Sequence, residues 1–73
     1  MSGTAIRNTL RRLRFDAGEM TQQELADRAR ITRQTVIAIE AGKYAPSLEV
    51  AFRLARVFGQ RLEDVFSLDE GEN

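Results

Sequence analysis

The stretch TQQELADRARITRQTVIAIEA, residues 21–41, decides the fold of this chain. Thr21 and Glu24 stand at the spacing of a capping box, in which the threonine oxygen takes a free amide of the first turn and the glutamate reaches back. The helix they open places Leu25, Ala26 and Ala29 on its inward side. A break follows at Arg30-Ile31, and Thr32 caps a further helix. There Val36, Ile39 and Glu40 share one face, Gln34, Ala38 and Ala41 lie opposite, and Arg33 and Ile37 flank the outer side. Two short helices joined by a tight turn make a helix-turn-helix, whose second helix enters the major groove with its N-terminal residues on base edges.

The side chains on that second helix suit the task. Arg33 can fork onto guanine O6 and N7, and Gln34 can bridge adenine N6 and N7. In isolation the same pair reads as an ordinary solvated helix face; the surrounding motif favours DNA contact. Ile37 and Ala38 are apolar where an exposed helix is normally polar. They either meet a thymine methyl or, for Ile37, cover the edge of the core.

Outward from the motif, Leu10, Leu13 and Ala17 recur at helical spacing behind Asn8 or Thr9 as N-cap, with Arg7, Arg11 and Arg14 on one polar side and Gly18 as the stop. After Gly42 and the loop Lys43-Tyr44-Ala45-Pro46, Ser47 caps a fourth helix. Its apolar stripe is Leu48, Ala51, Leu54, Ala55 and Phe58, and it stops at Gly59. A fifth, short helix covers about Leu62 to Phe66. The expected fold class is all-α, a compact five-helix domain over residues 1–73. Ile6 and Phe66–Leu68 are candidates for a minor two-stranded ribbon drawn from the termini.

Seventy-three residues hold one domain, and a chain this short buries only about 60% of its unfolded surface, which invites a partner subunit. The chain has neither cysteine nor histidine, which removes disulfides and Cys/His zinc sites. No metal site or cofactor motif is expected. The N-terminus has no signal-type apolar segment and no run is long enough to span a bilayer, so a cytoplasmic protein with no membrane partner is expected. The net charge is zero but unevenly spread: residues 1–43 carry eight Lys/Arg against five Asp/Glu, and residues 44–73 carry three against six. The basic half contains the motif, and residues 69–73 read as an acidic, solvated tail.

The run TQQELADRARITRQTVIAIEAGKYAPSLEVAFRLARVF resembles the Xre/lambda-repressor-like regulators, in particular short single-domain members carrying S/T-R-Q-T and then I-E-x-x-K-Y-x-P-S-L. The likeness covers Leu10 to Phe66. It implies a lambda-repressor-like domain that binds double-stranded operator DNA as a two-fold homodimer, usually as a repressor. It also implies base reading by Arg33, Gln34, Ile37 and Ala38, and phosphate contacts by Gln22, Thr35, Lys43 and Tyr44. Glu40, rather than acting as a catalytic carboxylate, would pair with Arg14, because a buried charge needs a partner. Two departures stand out. Arg30 occupies a turn position where relatives often have glycine, and Gly18-Glu19-Met20 is one residue longer than the commoner connection.

The apolar surplus of the C-terminal half, Phe52, Phe58, Val65, Phe66 and Leu68, exceeds what one small core holds and points to a dimer interface within about residues 47–68. Two other readings compete: an antitoxin that occupies an unknown protein partner through its apolar C-terminal face, and a non-DNA interaction module on the same fold. The donor-rich helix at 33–41 argues against the module. An enzyme is not expected, since no constellation carries chemistry and Glu63-Asp64 reads as the exposed side of helix five.

Overall fold

In a computed structural model, which describes residues 5–69, the chain runs β1 (Ile6–Asn8), α1 (Leu10–Asp16), α2 (Gln22–Ala29), α3 (Arg33–Glu40), α4 (Leu48–Val57), α5 (Leu62–Val65) and β2 (Phe66–Leu68). Three helices start where a side-chain oxygen is available for a free amide. Thr21 Oγ1 accepts from Glu24 N at 3.0 Å while Glu24 Oε1 accepts from Thr21 N at 2.8 Å, which completes the capping box. Thr32 Oγ1 accepts from Thr35 N, and Ser47 Oγ from Val50 N. Helix α1 starts differently. Thr9 holds the N-cap position, but Asn8 Oδ1 accepts from Leu10 N at 3.1 Å, and the Thr9 hydroxyl donates instead to the Asp64 carbonyl.

Helix exits follow the left-handed pattern that satisfies the last carbonyls. Gly42 and Gly59 have φ of +74° and +64°. Arg30 holds the same conformation at φ +61°, and Ile31 N donates back to Ala26 O at 3.0 Å. The non-glycine side chain there costs about 1 kcal/mol, and because Arg30 is exposed it meets no further obstruction from the core. The longer connection after α1 contains two left-handed residues in succession, Gly18 and Glu19 (φ +85° and +61°), and Met20 N closes it onto Arg14 O.

The core gathers Leu10, Leu25, Ala26, Val36, Ile39, Leu54 and Val65, all essentially without solvent exposure, with Met20 and Phe66 at its edge. The terminal ribbon forms, with β1 and β2 antiparallel in the register Ile6↔Leu68, Arg7↔Ser67, Asn8↔Phe66.

Several sequence expectations are corrected. Arg7 lies on β1, paired with Asp69 at 3.5 Å, not on the polar side of α1. Ala17 is exposed because α1 ends at Asp16. Leu48, expected on the inner stripe of α4, is 65% exposed as the first residue of that helix. Phe66 belongs to β2 rather than α5. Val65 and Phe66, expected at the dimer interface, are buried within the single chain, at 1% and 9% exposure. The acidic residues 70–73 lie outside the described residues, and Asp69 is anchored by its N–H to the Ala5 carbonyl as well as by Arg7.

Candidate nucleic-acid interface

The site is built on α2 and α3, which pack on each other through Leu25, Ala29, Val36 and Ile39. With those side chains turned inward, α3 presents Arg33, Gln34 and Ile37 to solvent, Ile37 at 41% exposure. Ala38 and Thr35 are half-buried, and Thr35 Oγ1 shares a 2.9 Å hydrogen bond with the capping Thr32 hydroxyl. The structure therefore brings Arg33, Gln34, Ile37 and Ala38 onto or beside one outward surface. Lys43 and Tyr44 follow directly after α3, both exposed.

Behind this surface lies the Arg14–Glu40 pair. Arg14 Nε donates to Glu40 Oε2 at 2.7 Å and Nη2 to Oε1 at 2.9 Å, a two-pronged contact between side chains only 16% and 9% exposed. A third guanidinium donor reaches the Met20 carbonyl at 2.9 Å and so ties the α1–α2 connection to α3. The hydrogen bond to Glu40 raises the Arg14 pKa above its already high ordinary value; burial opposes this, and the Coulombic attraction of Glu40 adds to it. Arg14 thus stays charged, and its bonds to Glu40 and to the Met20 carbonyl brace α3 against α1.

Gln22, expected as a phosphate contact, spends one amide hydrogen on Glu40 Oε1 at 3.1 Å. A side-chain amide has two N–H donors, so one is left for another acceptor. Glu40 thereby orients Gln22 at the N-terminal end of α2, where Arg11, Gln23 and Arg33 share a polar recess with it. Free backbone amides of a helix N-terminus suit a phosphate at such a place.

Sequence reasoning missed two parts of this arrangement. Asn8 Nδ2 donates to the Ile39 carbonyl at 2.9 Å, so the terminal ribbon holds the C-terminal end of α3; the residue signalled only an N-cap. The Gln22–Glu40 bond was also unforeseen, because it joins residues 18 positions apart on different helices.

A two-helix motif with a capped, solvent-facing second helix defines a helix-turn-helix domain. The helix-turn-helix family profile matches residues 10–65, and the chain belongs to that family, in its Xre-like form. It is 50% identical over 66 residues to an uncharacterised HTH-type transcriptional regulator of Methanothermobacter thermautotrophicus, covering 89% of this chain and 94% of the relative. A similarly named protein of Archaeoglobus fulgidus is 45% identical over 92% of this chain and 94% of its own length. The regulator YgzD of Bacillus subtilis, also uncharacterised, is 42% identical over 89% of this chain and 97% of its own.

Proposed function

We propose that this protein is a sequence-specific DNA-binding transcriptional regulator that acts as a dimeric repressor. The observation that carries the reading is the outward surface of α3, where Arg33 and Gln34 stand exposed beside Ile37. In this reading α3 enters the major groove, Arg33 and Gln34 read base edges, and Ile37 and Ala38 meet thymine methyls. Gln22, Thr35, Lys43 and Tyr44 grip phosphates on either side. The relatives' names, which speak of transcriptional regulation, support it.

A dimer would place two copies of α3 about 34 Å apart on a two-fold operator. The exposure of Phe52, Leu68 and Leu48, at 51%, 60% and 65%, supports a pairing surface on the α4–β2 side. Phe58 is half-buried against the core and contributes its edge at most. No observation favours the antitoxin reading over this one.

Selection of bound sequences from random duplexes tests the proposal. A paired, inverted half-site about one helical turn apart supports a dimeric reader. Recovery of unenriched sequence overturns it.

A further inference from the structure

Among the described residues, five cations have a carboxylate partner: Arg7, Arg12, Arg14, Arg53 and Arg61. The remaining cations make no side-chain bond, and they divide between two places. Arg11, Arg33 and Lys43 fall on or beside the face assigned above to DNA. Arg28, Arg30 and Arg56 do not. Together with Arg53 and Val57 they line a separate recess where α2 and α4 both end. Helix α2 is eight residues long, about 12 Å at 1.5 Å per residue, so this recess lies a helix length from the Gln22 end.

The bland explanation is that cations belong near helix C-termini, where each dipole is worth about half a negative charge. It accounts for only part of the cluster. Two helix ends and the Glu49 carboxylate on Arg53 offset roughly two of the four positive charges. Among the described residues no carboxylate lies within ion-pair distance of Arg28, Arg30 or Arg56.

We propose that this recess docks an acidic peptide segment of a partner protein, held by Arg28, Arg30, Arg53 and Arg56. All four are arginines, whose planar forks match carboxylates two-pronged, where lysine offers only a point charge. The two helix ends favour a peptide over a nucleic acid. The turns that close the two helices take up the carbonyls of Ala26, Asp27, Ala55 and Arg56, and those of Arg28, Ala29 and Val57 receive no backbone N–H among the described residues; a peptide brings both carboxylates and backbone N–H donors, whereas a phosphodiester chain brings acceptors alone. The recess lies a helix length from the Gln22 end of the DNA-facing surface, while its Arg30 stands three residues before Arg33.

The test is an amide-shift titration of the isotopically labelled full chain with a hexaglutamate peptide and, separately, with a DNA duplex. The peptide is expected to shift amides around Arg28–Ile31 and Arg53–Gly59, and Arg28→Gln with Arg56→Gln to weaken it about tenfold, as two exposed ion pairs are lost. The duplex is expected to shift α3 and to bind the double variant unchanged. If the double variant does not fold, Arg56→Gln alone is read in the same way, with a loss of about threefold. Peptide binding that ignores the recess, or is equal in the variant, overturns the proposal. So does a duplex that shifts the recess amides and whose salt slope drops by about two in the variant, since the surface then belongs to the nucleic acid. Failure of the DNA reading shows separately, as a duplex that leaves α3 unmoved.

Discussion

Replacing Arg14 by Met removes the guanidinium that braces α3 and leaves Glu40, 9% exposed, with Gln22 as its remaining side-chain partner. At 2.7 Å and an effective dielectric of about 20, the Coulombic attraction is about 6 kcal/mol, and most of it offsets desolvation. The cost of truncating one partner is set instead by the uncompensated charge left behind, about 3 kcal/mol or somewhat more. A domain of this size has a total stability of roughly 4–11 kcal/mol. Arg14→Met is therefore expected to lower Tm by at least about 12 °C, at about 4 °C or more per kcal/mol. Glu40→Met should cost a similar amount, because it strands Arg14. The double variant removes both charges together and is expected to be more stable than either loss summed, with a coupling of at least about 2 kcal/mol. Urea melts followed by circular dichroism measure all four proteins of the cycle. Single variants within about 1 kcal/mol of the parent, or strictly additive losses, would refute the view of this pair as a buried brace.

Three further outcomes are expected. Lys43→Ala should weaken binding to all duplexes alike and reduce the salt slope by about one, read from binding isotherms at several salt concentrations; a change confined to one sequence contradicts a phosphate role. Glu19→Gly relieves a left-handed, exposed residue and should raise stability by about 1 kcal/mol in thermal melts; an unchanged or lower Tm contradicts this. Phe52→Ser should shift the monomer–dimer equilibrium toward monomer in sedimentation equilibrium without lowering Tm of the monomer; an unshifted equilibrium moves the pairing surface elsewhere.

The helix starts were legible because capping is local. Thr21 with Glu24, Thr32 and Ser47 each bond three residues ahead, a distance that spacing alone reveals. The left-handed turn at Arg30 was legible as a non-glycine residue where a glycine is usual. Contacts between distant segments were harder to read. Three-residue strands such as β1 and β2 are too short for an alternating pattern, and their pairing joins residues about sixty positions apart, so the ribbon was only a candidate. For the same reason the burial of Val65 and Phe66 leaves no mark in the sequence: their inward direction is set by the turn from α5 into β2. Leu48 reads as core by period, yet a first-turn position at the edge of the bundle leaves it in solvent. In the candidate site, the outward set on α3 followed from the placement of Val36 and Ile39. The bonds that steady it, Asn8 to Ile39 and Gln22 to Glu40, depend on which helices meet and leave no periodic trace.

The most direct measurement concerns Gln34. Once a bound duplex has been selected, the affinities of the parent and of Gln34→Ala are compared on that duplex and on versions with each half-site base pair exchanged. If α3 reads bases from its N-terminal face, the variant loses about 1–3 kcal/mol on the selected duplex and no longer discriminates at one base pair. Equal affinity together with unchanged discrimination at every position would contradict it, and would mean that α3 is not the reading helix.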